Sequence, residues 1–347
     1  MKKPLLTVGI PTYNRPETLQ RTLEVLKAED LSLFFIFVSD DSSTDGVEEI
    51  VRTYQKSMPN LLYYRNPINL GFSGNVSQLY EIATTRYVWF LCDDDTVYPG
   101  AITKITKVLE KHEPVVAIFN CSWEDSYGRH LVAGVSEELV HTDPTVGGIY
   151  NVLMRLTFLS IVVVEKRLPI DIITNNSEYK DNVFVQLTLG LYLLSDKFKL
   201  CESASTIIHR NVGFKYGEFF KFYLLDTLKA IYLIPHKFDN QKFIRWMIND
   251  LPNALQLFLS QKIGLFIYTG TPTRSTLKLL MSYYGPYGII ILLFRTLCAI
   301  TPAPLVRALY LIKLVRIHGW TAGIATYRRL VDRVKKDARQ TGFTTYR

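Results

Sequence analysis

Between residues 5 and 95 the chain alternates short apolar runs with stretches whose apolar residues recur at helical spacing, and the apolar runs end in polar or acidic residues. Residues 5–10 and 33–39 read as buried strands, as continuous apolar runs of that length do, and 61–64 and 87–91 as a third and a fourth strand. Between them, Pro16 opens a helix carrying Leu19, Leu23 and Leu26, and further helices are expected over 47–55 and 74–84. A βαβαβαβ order of this kind predicts an open, mostly parallel sheet with helices on both faces. In such sheets ligands bind at the carboxyl ends of the strands. Two acidic clusters, Asp40-Asp41 and Asp93-Asp94-Asp95, fall at such ends.

The pattern continues after Pro99. A helix is expected over 101–112, a strand over 115–120, a hairpin or loop in the polar stretch 123–148, and a helix over 149–158. Residues 160–164 read as a strand, 177–195 contain a helix, and 198–208 read as a strand pair. From Glu218 the chain becomes mostly helical and aromatic-rich. The expected organisation is an α/β domain over 1–215, with a first half to residue 100 and a second over 101–215, followed by a helical region over 216–347. With 48% hydrophobic residues there is enough apolar mass to bury a core, which excludes a disordered chain. Cys92, Cys121, Cys201 and Cys298 lack metal-type spacing and read as free thiols.

Three carboxylates directly after a buried strand are costly unless they meet a cation or strong donors. Hard divalent ions take carboxylate oxygens together with substrate phosphates, so Asp93, Asp94 and Asp95 suit a metal–diphosphate site. A lone triplet would read as a solvated, helix-capping turn, but this one has company. A carboxylate at the Asp40-Asp41 strand end can accept the N–H of a nucleobase, while its neighbour caps the next helix. Pro11-Thr12-Tyr13-Asn14-Arg15 forms a rigid polar turn after the first strand. Asn69, Gly71 and Asn75 sit where a helix begins, and helix N-termini attract phosphate. A plain glycine turn is the bland alternative there.

Taken in order, these segments resemble the family 2 glycosyltransferases with the GT-A fold, a Rossmann-like sheet covered on both faces. The resemblance runs over about residues 5–210, strongest from Thr7 to Gly100, and points to the members that build bacterial surface polysaccharide such as O-antigen or capsule. It implies that Pro11, Thr12, Asn14 and Arg15 line a nucleotide pocket, that Asp40 bonds the base, and that Asp41 supports it. It makes Asn69, Gly71, Asn75 and, more weakly, Arg86 contacts for ribose or phosphate. Asp93 and Asp95 fit an Asp-X-Asp motif holding Mg²⁺ or Mn²⁺, with Asp95 the first choice and Asp94 its rival. Many members carry an aspartate where this chain has Cys92. The implied reaction is inverting transfer from a nucleoside diphosphate sugar. Asp181 is the expected base and Glu178 the alternative, although acidic residues there also suit the first turn of a helix. His209 is a candidate further ligand for metal or diphosphate. Trp123, Glu124 and Ser160 are placed to shape an acceptor pocket, whereas Phe158 reads first as core.

The formal charge of +8 is concentrated at one end. Residues 262–347 hold 14 Lys/Arg against two acids, while the remainder holds 26 against 30. Apolar stretches spaced by Arg307, Lys313 and Arg316 suit helices lying in a membrane interface, where anionic lipid adds about 1 kcal/mol per nearby cation. The alternative is a helical cover with solvated cations. No apolar run approaches the roughly 20 residues needed to span a bilayer, and the first residues read as a strand rather than a signal peptide. The expected setting is therefore cytoplasmic, peripheral on the inner face of the membrane, with a polyprenyl-diphosphate-linked glycan as acceptor. The tail lacks a nucleic-acid motif. The rival readings are a sugar nucleotidyltransferase, which would carry a Gly-rich basic loop after the first strand, and an inactive nucleotide-sugar-binding scaffold.

Overall fold

The computed structural model describes residues 3–124, 130–142, 155–169 and 184–210, with ten further residues between 311 and 328. The chain divides into two compact units, Met1–Gly213 with Asp226–Phe238, and Phe214–Leu225 with Asp239–Arg347.

The first unit begins with β1 (Leu6–Thr12), α1 (Pro16–Lys27), β2 (Phe34–Asp40), α2 (Val47–Gln55), β3 (Leu61–Arg65), α3 (Gly71–Ile82) and β4 (Tyr87–Phe90). It continues with β5 (Thr96–Val97), α4 (Ala101–His112), β6 (Val116–Glu124), β7 (His130–Ala133) and β8 (Leu139–His141). A 3₁₀ turn (Leu159–Ile161) leads into β9 (Val162–Glu165), then α5 (Val185–Asp196) and β10 (Leu200–His209). The sheet order is β3-β2-β1-β4-β9-β6-β10-β5, with β7 on β6 and β8 on β10. Strands β3, β2, β1, β4, β6 and β10 run one way and β9 runs against them, so the central sheet is mostly parallel.

Every residue of β1 is buried, because the strand is central and covered on both faces. Leu19, Leu23 and Leu26 of α1 are fully buried, as their spacing predicts. Helix α5 is buried from Val185 to Ser195, which accounts for its mostly apolar sequence.

Several boundaries differ from the sequence expectation for identifiable reasons. β1 runs through Pro11 to Thr12, in register with Ser39 and Asp40 of β2. Gly9 O accepts Leu91 N, so the odd residues of β1 face β4. Pro11 falls where the β1–β4 ladder has already ended at Gly9–Phe90, and its missing N–H costs no ladder bond. Helix α3 starts at Gly71, earlier than expected, because Asn69 Oδ1 accepts Gly71 N (2.9 Å) and the glycine takes φ +72°. The expected strand pair over 198–208 is one strand, β10, with register shifts between Glu202 and Ile208. Asn120 Nδ2 donates to Ala204 O (3.1 Å) at the irregularity, and β10, still paired with β6 as far as His209, exchanges β8 for β5 along its other edge. Most of the residues expected to form a helix over 149–158 lie outside the described residues, as does 177–183.

Among the described residues of the second unit, 311–312, 315–316, 320–321, 324–325 and 328 are helical, and Gly319 has φ +78°. Among the described residues no helix is long and apolar enough to cross a membrane.

Candidate active site

The chain passes from β1 to β2 and β3 on one side, then returns to β4 on the other side of β1. That reversal is a topological switch point, where open sheets leave a crevice at the carboxyl ends of their strands. The crevice widens here because β1 and β4 stop pairing at Gly9–Phe90 while β1 and β2 stay paired to Thr12–Asp40. The polar ends of β1, β2 and β4 converge on it.

Asp93, only 4% exposed, is the residue most tightly fixed. Thr12 Oγ1 donates to its Oδ2 (2.8 Å), Arg15 Nη1 to its Oδ1 (3.1 Å), and Thr22 Oγ1 to its carbonyl (3.0 Å). Burial pushes the Asp93 carboxyl pKa upward, and the bonds from Thr12 and Arg15 only partly pull it back. Arg15 Nη1 also reaches Asp94 Oδ2 (3.1 Å), so one guanidinium spans two of the three carboxylates.

Asp40 is buried at the end of β2. Tyr63 Oη donates to its Oδ2 (2.6 Å) and Ser43 N to its Oδ1 (2.8 Å). Asp41 Oδ1 accepts Asn66 Nδ2 (2.9 Å) and Leu70 N (2.7 Å), which ties the β2 end to the loop before α3. Asn75 Nδ2 donates to Ser39 O (3.0 Å), and its Oδ1 accepts Asn66 Nδ2 (3.1 Å). Asn14, at φ +52°, bonds Ser43 Oγ through its own N–H (2.9 Å) and accepts Thr44 N on Oδ1 (2.9 Å). The turns after β1, β2 and β3 are thereby one hydrogen-bonded assembly, preformed and not in need of a ligand to order it.

Cys92, Asp94 and Asp95 each offer a ligand atom, and these atoms lie within 4.8 Å of one another. Two carboxylates and a thiol fit a divalent cation, with the oxygens suited to Mg²⁺ or Mn²⁺. Cys92 N donates to Ser160 Oγ (3.0 Å), and Trp89 Nε1 to Ser160 O (2.9 Å), so Ser160 fixes the segment from beneath. Burial raises the Cys92 thiol pKa, reinforced by Asp95 and Asp94.

His209 stands opposite Thr96 in the β10–β5 ladder, one residue from Asp95. Its Nδ1 lies 3.0 Å from Ser122 Oγ, and its ring stacks on His130 with centroids 5.9 Å apart. It is not among the side chains that gather with Asp94 and Asp95. Arg86 lies elsewhere: it precedes β4 at the amino end of the sheet, bonded to Glu113 (2.8 Å) and Glu165 (2.9 Å). Its strand position already placed it away from the crevice. Trp123 and Glu124 end β6, paired with β7. Asp181 and Glu178 lie outside the described residues.

The structure adds residues that sequence reasoning passed over. Tyr63, Asn66 and Arg65 complete the β2 end, with Arg65 Nη2 donating to Ser43 O (2.8 Å). Arg210 follows His209, its guanidinium 4.0 Å from the centre of the Phe158 ring. Burial draws its pKa down, while Cys121, Asp95, Cys92 and Asp94 stand close enough to oppose that shift. Arg210, just past the end of β10, thus lies within electrostatic range of the acidic cluster. The position just past His209 was the only available signal, since the contact joins segments far apart in sequence.

Acidic strand ends converging at the switch point of an open α/β sheet are the arrangement in which such sheets bind their ligands. Residues 7–136 match the family model described as Glycosyl transferase family 2, and this part of the chain is a domain of that family. An uncharacterised glycosyltransferase of Methanocaldococcus jannaschii is 31% identical over 125 residues, covering 35% of this chain and 42% of that protein. The GalNAc(5)-diNAcBac-PP-undecaprenol beta-1,3-glucosyltransferase of Campylobacter jejuni is 32% identical over 120 residues, 34% of this chain and 38% of that protein. The chain thus spans about two fifths of these relatives' length. Among solved structures, residues 1–349 of TarS from S. aureus align over 96% of this chain and 91% of that chain, with a TM-score of 0.58 and 14% identity. The fold is the GT-A fold.

Proposed function

We propose that this protein is an inverting glycosyltransferase that moves a sugar from a nucleoside diphosphate sugar to a hydroxyl of a lipid-linked glycan in bacterial surface polysaccharide synthesis. The observation that carries this reading is the convergence of Asp40 and Asp41 from β2 with Asp93, Asp94 and Asp95 from β4 around Thr12 of β1. The base and ribose lie against the assembly built by Asn14, Asp40, Asp41 and Asn75. The diphosphate lies at Asp94 and Asp95, with Arg210 supplying a fixed positive charge toward it. Asp93 holds Thr12 and Arg15 in place. A divalent cation bound by Asp94 and Asp95, with Cys92 beside them, would neutralise charge on the diphosphate. Asp181, or Glu178, takes the proton of the acceptor hydroxyl; its oxygen bonds to the anomeric carbon, and the bond to the diphosphate breaks on the opposite side. TarS, of the same fold, has been solved with UDP-GlcNAc, which supports a donor of this class. The Campylobacter relative's undecaprenol-linked substrate supports a polyprenyl-linked acceptor.

The donor is tested by a thermal-shift screen of nucleotide sugars with and without Mn²⁺. A ligand that binds only the folded state stabilises it by about 2.7 kcal/mol at a hundredfold its Kd. The expected result is a rise in Tm with one nucleotide class that needs the metal. A screen in which none raises Tm, together with no donor hydrolysis or transfer, would sink the enzymatic reading.

The basic region is proposed to dock on an anionic membrane surface at the cytoplasmic face. Ile312 (52% exposed) and Trp320 (72%) flank exposed Arg316 in the described part of that region, an apolar–basic combination suited to a headgroup interface. Vesicles containing phosphatidylglycerol should float the full chain and leave a chain lacking residues 262–347 behind. Equal flotation of both refutes docking through this region.

A further inference from the structure

Away from the crevice, at the amino end of β10, three side chains from separate stretches meet. His112 closes α4, Glu138 precedes β8, and Cys201 is the second residue of β10, opposite Val140 of β8. Each offers one ligand atom, and the three lie within 4.8 Å of one another. His112 Nε2 is 2.6 Å from Glu138 Oε1, and Cys201 is fully buried. The strand pairing of β8 with β10 and the seating of α4 on the sheet hold the three backbones, so the cluster does not depend on a flexible loop.

The donor set decides what such a place would take. An imidazole nitrogen, a thiol sulfur and a single carboxylate suit Zn²⁺ and its neighbours, not Mg²⁺ or Ca²⁺, which want oxygen. Bond lengths of about 2.0–2.3 Å place tetrahedral zinc ligands about 3.4–3.6 Å apart. The imidazole–carboxylate contact would open by about 1 Å, and the thiol, no more than 4.8 Å from either partner, would close by up to about 1.3 Å, both within side-chain reach. One cation stands in the way: Lys111 Nζ donates to the same Oε1 (2.7 Å). Its side chain is 67% exposed and can turn to solvent when a stronger cation arrives.

We propose that His112, Glu138 and Cys201 form a binding site for one zinc-class ion, with water as fourth ligand, separate from the acidic crevice. On binding, the thiol proton leaves to solvent and the His112–Glu138 hydrogen bond is replaced by two metal bonds. The bound ion then ties the end of α4 to β8 and β10, three stretches distant in sequence.

The test uses the full chain, stripped of metal and titrated with Co²⁺ and then Zn²⁺. Thiolate ligation gives cobalt a near-ultraviolet charge-transfer band that oxygen ligands do not. The band is expected in the wild type and in Cys92→Ser, abolished in Cys201→Ser, and displaced by one equivalent of Zn²⁺. His112→Gln should weaken Zn²⁺ binding at least tenfold, and because His112 is a helix-end residue this variant remains testable if Cys201→Ser does not fold. No band in the wild type, a band lost in Cys92→Ser but kept in Cys201→Ser, or unchanged affinity in His112→Gln overturns the proposal.

Discussion

Asp95→Ala is expected to lower sugar transfer about a thousandfold while leaving the folded protein intact. The magnitude follows from removing one fixed electrostatic element from a site whose leaving group carries concentrated charge. The fold should survive because Asp95 is only partly buried and lies beyond β4, outside the sheet ladder. Asp94→Ala should behave similarly, since the two carboxylates share one cluster with Cys92. The metal-dependent Tm rise with nucleotide sugar should disappear in both. Asp181→Asn should differ, keeping the donor-induced Tm rise while losing transfer, because a base acts on the acceptor and not on donor binding. Full activity of both alanine variants in the presence of EDTA would refute the metal role. Loss of donor binding in Asp181→Asn would move that residue from the acceptor side to the donor pocket.

Trp89→Ala should produce the largest loss of stability. Trp89 is fully buried in β4, in register with Val8 of β1 and Val163 of β9, at the centre of the sheet. Truncating a core aromatic costs about 3–5 kcal/mol in lost burial and residual cavity. The variant also leaves Ser160 O without its indole donor. Against a total stability of roughly 5–15 kcal/mol, this is a large fraction. Trp89→Phe keeps most of the volume and loses the hydrogen bond, so about 1–2 kcal/mol is expected. Urea denaturation followed by far-ultraviolet circular dichroism measures both. A midpoint unchanged in Trp89→Ala would show that β4 is not the core strand its burial implies. Because Ser160 also accepts Cys92 N, Trp89→Phe should loosen the acidic cluster and reduce activity more than its stability loss alone explains.

The β-α alternation was legible because parallel strands covered on both faces are mostly apolar, as β1, β2 and β4 are, whereas β3, at the sheet edge and largely exposed, showed only as the short run Leu61-Leu62-Tyr63-Tyr64. The acidic ends were legible because carboxylates beside buried strands are unusual and need a partner. Asp93 shows where that reading stopped. Sequence placed three aspartates together, and the family resemblance favoured the first and third for metal. In the fold Asp93 already meets Thr12, Arg15 and, through its carbonyl, Thr22, whereas Asp94 and Asp95 gather with Cys92. One residue of register separates these two surroundings, and that difference lies in side-chain direction, which the sequence does not carry. Arg86 was misjudged for the opposite reason: an arginine near a motif in sequence lay at the far end of a strand in space.

The sequence by itself determined the layer architecture, the strand ends that matter, and the split of charge between an acidic body and a basic tail. These are local properties, written in periodicity and composition over ten or twenty residues. Tertiary structure alone decided what meets across distance. It brought Arg210 to the Asp94–Asp95 cluster, joined the β1, β2 and β3 turns through Asn14, Asp41 and Asn66, and set His112, Glu138 and Cys201 together. The physical reason is that such contacts depend on strand order and register. A β10 that bulges between Glu202 and Ile208 and ends beside β5 has no periodic signature in the chain, yet that path sets Arg210 within electrostatic range of the acidic cluster.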